Sequence, residues 1–582
     1  MRAKLPFVAA VLVLSSGHVK TVGIESAAPN DNRKAAGRLA DGVLTVRLEA
    51  REVLWRPESQ DGAAIPIYAF AEAGQRATIP GPMIRVRAGT EIHATVRNRL
   101  TKPLRLQGLH GRGGAPDSTI VAPDSTQALS FRADVPGTYY YWARTEPEFP
   151  AGLGFKRDAV LLGAFIVDSA GALPPTRERV IVLSSFYDTV LSLGPKPSPA
   201  DRVLHREFVT ITGPAWFVTT VNGKSWPYTE RLSYTVGDTV RFRVINGGRF
   251  PHPMHLHGFY FDVHARGDAQ RDTTYAPNMR REAVTEWMPA GTTMSMTWTP
   301  TRPGNWLFHC HLVTHMSDAL RLPSSERRSM AHANHAESGM AGLVIGIRVA
   351  PRPGVGVAAE PPARRRMRLF VTERAGVYGN EPGYSYVLQE GPTPPAPDSI
   401  LTPSSTLVLR QDEPTEIAVI NSATHATTVH WHGLEIESVY DGVGDWSGWG
   451  RGVAPVIAPG DSFVVRLTPP RAGTFIYHSH VDEAIQLASG LYGTLLVIPP
   501  GGTSDTTERV FLIGMAGPHD EAPPAINGSP TPAPVELRAG VPHRFRFINI
   551  APMETRTVQL LAGDTVQSRR AVAKDGADLA PA

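Results

Sequence analysis

The stretch PRAGTFIYHSHVDE, residues 470–483, decides the fold, because the chain carries it twice. Residues 134–148 read DVPGTYYYWARTEPE, the same aromatic and β-branched run after the same Gly-Thr pair. At nearly equal spacing each is followed by an apolar closing run, GAFIVD (163–168) and GTLLVI (493–498). Runs of this composition, bounded by turn residues, read as short strands. A second pair links VNGKSWPYTERLSYTVGDTVRFRVIN (221–246) with INGSPTPAPVELRAGVPHRFRFIN (526–549). The order is therefore A-B-A-B. Unit one covers 40–170, unit two 175–350, unit three 367–500 and unit four 505–582, with 351–366 as a linker between the pairs. Unit four reaches Ala582 well short of its counterpart's length, as expected of a fragment or of a shortened last unit.

Further outward the pattern holds. LTVRLEA (44–50), MIRVRAG (83–89), TVRFRVI (239–245), TLVLRQ (406–411) and SFVVRLTP (462–469) alternate or run apolar over strand lengths. No long segment of helical period competes with them, so the expected class is all-β, a series of antiparallel sandwiches.

Composition agrees. Of 582 residues 42% are hydrophobic and 19% charged, which excludes a disordered chain, and Gly 54 with Pro 52 suits many turns. The net charge of +4 is scattered, and the one dense run, Arg364 to Arg366, reads as solvated linker, so no nucleic-acid partner is expected. The N-terminus MRAKLPFVAAVLVLSSG has a basic start and an apolar run too short to span a bilayer. Residues 1–28 are read as a secretory signal with a disordered start, an N-terminal anchor being the lesser reading. The protein is then exported, periplasmic or extracellular, with no stable membrane span. A single cysteine, Cys310, forbids an internal disulfide, and metal ligation is one reason for its presence in an exported chain.

Four motifs concentrate ten of the 20 histidines: HPMHLHG (His252, His255, His257), HCH with a further histidine (His309, His311, His315), HWHG (His430, His432) and HSH (His478, His480). Alternate residues of a strand share a face, so each His-x-His pair offers two imidazoles side by side. Four pairs supply eight imidazoles, enough for three copper ions with room left for oxygen. In HCH the cysteine points away from its neighbours, so Cys310 can bind one metal while His309 and His311 bind others. His252, Cys310 and His315 remain, two imidazoles and a thiolate, the donor set of a blue-copper site. Any one histidine pair is read as readily as an ordinary hydrogen-bonded pair; all four around one cysteine are not.

These motifs resemble those of the multicopper oxidases, and the repeats extend the resemblance over nearly the whole mature chain as tandem cupredoxin-like Greek-key β-sandwich domains. The resemblance implies four copper ions per complete site. Type 1 copper would sit at His252, Cys310 and His315, type 2 at His255 and His430, and the type 3 pair at His257, His309, His311, His432, His478 and His480. The motif order departs from the usual one, since HPMHLHG and HCH precede HWHG and HSH. The cluster is therefore expected between units two and three; a homo-oligomer sharing it between chains is the second arrangement these motifs allow. Unit one has GLHG (108–111) and Trp142-Ala143-Arg144 where unit three has HWHG and HSH, so it reads as a copper-free copy with His110 a structural leftover. Unit four has APMETRTVQLL (551–561) where unit two has PHPMHLHG, and lacks a blue-copper site.

For the axial position the family's usual spacing from Cys310 reaches Leu320, whereas the resemblance of GMAGLVIGI (339–347) favours Met340 after an insertion; Met316 comes third. An axial thioether lowers the potential relative to leucine. The insertion itself (317–338), with Met330, His332 and His335, reads as a polar loop, the alternative being an extra copper-docking loop. Asp441, in SVYDG after HWHG, falls where the family often has an acid near the cluster, and Asp-Gly is equally a turn signal. A second acid that some members carry between HCH and the next histidine is replaced here by Leu312-Val313-Thr314. The expected partners are dioxygen and a small reductant, a phenol or aromatic amine in a laccase-like reaction. The competing readings are oxidation of a metal ion such as Cu(I) or Mn(II), and a non-oxidase cupredoxin array for electron transfer or copper binding.

Overall fold

The computed structural model describes residues 24–113, 118–145, 156–171, 176–188, 216–317, 322, 334–354, 361–450, 452–502, 507–518, 522–551 and 556–580. Most of the N-terminal signal reading, and Leu320, Met330 and His332, lie outside these residues.

The protein is nearly all β. Helix among the described residues is confined to single turns such as His335–Ser338, and no helix is long and apolar enough to cross a membrane. Unit two shows how the sandwiches are built. One sheet runs in the order Trp216–Val221, Glu178–Asp188, Val240–Asn246, Thr292–Trp298, Phe261–Asp268. The other runs Arg231–Thr235, Val344–Ala350, Gly304–Cys310, His252–Leu256, Thr285–Met288. Phe242, Val244 and Met296 from the first meet Met254, Leu256, Phe308 and Ile345 from the second in one buried core. Each side chain of this size stabilises by roughly 1.5–3 kcal/mol when fully buried. Units one and three repeat the plan with their own cores.

The sequence pattern points to antiparallel pairing; the sheets are in fact mixed. Glu178–Leu183 pairs parallel with Arg241–Asn246, and Arg231–Thr235 with Gly346–Ala350. Equivalent parallel pairs join Val43–Arg47 to Glu91–Thr95 and Arg365–Val371 to Thr415–Asn421. The chain crosses from sheet to sheet and returns beside its first strand in the same direction, which leaves no mark in local composition.

Unit four is a three-stranded sheet (Pro524–Ile526, Glu508–Met515, Arg544–Asn549) followed by two short hairpins. Units two and three meet where Ser438 Oγ donates to Asn305 O (2.8 Å) and Trp446 Nε1 donates to Trp306 O (3.1 Å). Those contacts set the start of Gly304–Cys310 against the loop that follows HWHG.

Candidate metal centre

Strand register brings the motifs together. Within unit two His255 pairs with His309 and Met254 with Cys310; within unit three His430 pairs with His478. The period of two then sends Cys310 into the core of unit two, while His309 and His311 face unit three.

On the core side His252 Nδ1, His315 Nδ1 and Cys310 Sγ form a triangle. The two nitrogens are 3.0 Å apart, and the sulfur lies 3.6 Å from His252 and 3.3 Å from His315. All three residues are buried. Thr219 Oγ1 and Leu343 N donate to His315 O, and the rings of Phe217 and Phe250 flank its imidazole at 5.6 and 5.9 Å between centroids. Met340 is buried in the adjoining apolar cluster with Met316, Leu307 and Trp226, and bridges Ser317, two residues past His315. Of the three axial candidates, two are therefore in that cluster and Leu320 is not described.

On the other side His255, His257, His309, His311, His430, His432, His478 and His480 converge. Neighbouring ring centroids lie 3.8 Å (His255–His432) to 5.8 Å (His309–His311) apart. The protonation pattern can be deduced from the acceptors around them. His255 Nδ1 faces Val284 O (2.9 Å), His309 Nδ1 faces Cys310 O (2.9 Å), His430 Nδ1 faces Asp441 O (2.7 Å) and His478 Nδ1 faces Ser479 O (2.8 Å). A carbonyl oxygen only accepts, so each Nδ1 carries the proton and each Nε2 a lone pair. His432 is reversed, with Nε2 3.0 Å from Thr285 Oγ1.

The nitrogens left over point inward. Nε2 of His255, His311, His430, His478 and His480, and Nδ1 of His432, are buried with no hydrogen-bond partner among the described residues. Leaving a buried polar group unpaired costs about 1–3 kcal/mol each. His257 Nε2 and His309 Nε2 stand 2.8 Å apart, a spacing that a shared proton or a cation between them satisfies. Metal ions satisfy all of these atoms together, so the residues fit copper.

Electrostatics agree. Burial holds the imidazoles neutral, with His309 and His478 pushed down to about 4 and His315 to about 3. Burial also pushes the Cys310 thiol up, so a cation must displace its proton to bind there. Asp441 is buried, accepts from His257 Nδ1 (2.8 Å) and Ser447 Oγ (3.1 Å), and stands 3.6 Å from His430 Nδ1; burial pushes its carboxyl up to about 8. Gly442 makes this approach work: at φ +88° its backbone passes so close to Val429 O that an added Cβ would lie 1.9 Å away.

Every histidine and cysteine singled out in the four motifs thus reaches one of two sites, and Asp441 reaches the larger. His110 stays apart in unit one, beside Gly111 O. His335 is buried, its ring 6.0 Å from that of His480. Two groups escape sequence reasoning. Glu483, 3.5 Å from His480 Nδ1 and pushed up to about 8 by burial, was signalled only by its place three residues after HSH. Thr285, touching both His255 and His432, sits in an unremarked strand. A cavity of about 1410 Å³ where units two, three and four meet is lined by His311, His432 and Thr285.

Comparison with known proteins matches two family models to this chain, both described as multicopper oxidase, at residues 199–328 and at 74–171 with 401–501. A probable nitrite reductase-hydroxylamine oxidoreductase fusion protein of Kuenenia stuttgartiensis is 27% identical over 300 residues, 48% of this chain and 31% of that one. Laccase 1 of Metarhizium robertsii is 38% identical over 100 residues, 17% of this chain and 15% of that one. The chain thus spans less than a third of the length of these relatives. A blue copper oxidase structure from Nitrosomonas europaea aligns at 18% identity with a TM-score of 0.37, covering 53% of this chain and 85% of that one.

Proposed function

Since the chain belongs to the multicopper oxidase family, we propose that it takes single electrons from a phenol or aromatic amine and delivers four, together with four protons, to dioxygen, giving two waters. The observation that carries this reading is the set of inward-facing, unpartnered imidazole nitrogens in a cluster of eight histidines, two of which directly flank the buried Cys310 in the chain. Bound copper would supply a one-electron acceptor at the cysteine site and the four-electron reduction of dioxygen at the cluster. In this reading His252, Cys310 and His315 hold the type 1 ion and His255 with His430 the type 2 ion. His257, His309, His311, His432, His478 and His480 hold the type 3 pair.

Each protein group then has a defined task. Cys310 joins the two sites, because its main chain continues directly into His309 and His311. Phe217 and Phe250 shield His315 from water. Met340 would be the further group toward copper at the Cys310 site, and Met340→Leu is expected to keep the blue band while raising the type 1 potential, as redox titration would read; an unchanged potential would assign the position elsewhere. Asp441 orients His257 and stands beside His430, and its carboxyl, pushed up by burial, is placed to hold a proton beside the cluster. Such a proton is given up as pH rises, so turnover limited by it falls on the alkaline side. Asp441→Asn is expected to cut turnover roughly 10- to 100-fold and to remove that limb. Unchanged turnover and pH profile would end this role.

Dioxygen uptake by the copper-loaded chain tests the whole reading. Uptake with phenols or aromatic amines supports it; uptake driven only by Cu(I) or Mn(II) makes the protein a metal-ion oxidase. Absence of uptake with every reductant leaves electron transfer, and nitrite consumption would align it with the name of its Kuenenia relative. We further propose an exported protein, on the strength of its N-terminal segment.

A further inference from the structure

Unit four carries no copper motif, yet its second hairpin reaches the metal centre. The segment Ala573-Lys574-Asp575-Gly576-Ala577-Asp578 forms two paired ends around a two-residue Asp-Gly loop, with both loop residues at positive φ (+53° and +76°). This is the geometry that Asp-Gly favours in a tight hairpin. The loop seats in a fitted notch, since a Cβ on Gly576 would lie 2.6 Å from the Phe475 ring, and Tyr260, Val284 and Ala577 pack together beside it.

From that position the hairpin grips one short strand of unit two. Asp575 Oδ2 accepts from the backbone N–H groups of both Val284 and Thr285 (3.1 Å each). Tyr260 donates its hydroxyl to Asp575 O. Lys574 Nζ donates to Thr285 O (2.8 Å) and pairs with Glu286 Oε2 (2.6 Å). The gripped residues are the ones that orient two imidazoles. Val284 O accepts from His255 Nδ1, and Thr285 Oγ1 lies 3.1 Å from His255 Nδ1 and 3.0 Å from His432 Nε2. Thr285 Oγ1, a hydroxyl that can donate as well as accept, thus stands within hydrogen-bond reach of both rings and ties their orientations together.

We infer that Thr285 and the Lys574-Asp575 hairpin are positioning residues of the copper cluster, a bracket through which unit four holds His255 and His432 in register for the type 2 ion and its neighbour. This rests on the copper reading above. The hairpin also lines the cavity that Thr285, His311 and His432 line, so bracket and cluster border the same space.

The test uses the full copper-loaded chain, dialysed against a chelator, with copper per chain, the blue band and the type 2 electron paramagnetic resonance signal measured together. Asp575→Ala and Thr285→Val are expected to keep the blue band and to lose type 2 copper, with affinity down roughly 10- to 100-fold. Asp575→Asn, whose amide oxygen can accept the same two N–H groups, is expected to retain it. A general loss of folding would bleach the blue band as well, and Thr285→Val, nearly isosteric, guards against that outcome. Wild-type copper content and type 2 signal in both Asp575→Ala and Thr285→Val would overturn the bracket while leaving the oxidase reading intact. A wild-type chain that never acquires type 2 copper would sink that reading, and the bracket with it.

Discussion

Cys310→Ser is expected to abolish the blue absorption and reductant oxidation together, with turnover down roughly a thousandfold or more, about 4 kcal/mol in barrier. The thiolate is the soft donor that makes the triangle with His252 and His315 a blue-copper site, and serine offers only a hard, poorly ionised oxygen in its place. Cys310 is also the residue of the core-side site that lies directly between His309 and His311 in the chain. Its loss therefore removes the thiolate that receives the electron and from which the route into the main chain begins. The substitution is small and the cluster histidines are untouched, so about three coppers should remain bound. Copper analysis, the visible spectrum and oxygen uptake on one preparation check this, with a thermal melt to show that the fold survives. Oxidase activity retained without the blue band would remove Cys310 from the electron path.

How the ligands were legible, and their supports were not, follows from what a sequence records. His-x-His and His-Cys-His are local: their chemistry needs given residue types at a strand's period of two, and both are written in adjacent letters. The repeats made the two halves of the cluster recognisable as parts of units two and three. Asp441 was half legible, because Asp-Gly is a turn signal whether or not the carboxylate meets a histidine. Thr285, Glu483 and Asp575 carry no such mark. Thr285 matters because register sets it between His255 and His432, and Asp575 matters because a hairpin some 290 residues away in sequence closes on Thr285. The parallel pairs of the sheets were hidden for the same reason, since strand direction is a property of the crossover and not of the strand. The axial position was open in the sequence, because the insertion obscured the spacing from Cys310; the structure places both Met340 and Met316 in one buried cluster beside His315.

The double substitution His430→Ala with His480→Ala separates the two sites in the opposite sense. His430 stands 4.1 Å from His257 and 5.3 Å from His478 between ring centroids, and His480 stands 5.4 Å from His257 and 5.6 Å from His309. Removing one imidazole from each motif of unit three leaves the unit-two histidines facing a half-empty shell, too few donors to hold the cluster ions. The triangle of His252, Cys310 and His315 lies wholly in unit two and loses nothing. Copper content is expected to fall from about four to about one per chain, with the blue band intact. Reductant should then bleach the protein once, and air should fail to restore the colour, because the path to dioxygen is gone while the electron-accepting site persists. Oxygen uptake should drop by roughly a thousandfold or more, the same 4 kcal/mol scale as for Cys310→Ser but with the opposite spectrum. If the double variant still held about four coppers and still consumed dioxygen, the histidines of unit three in this chain would not complete the cluster, and assembly from a second chain would be the arrangement to pursue.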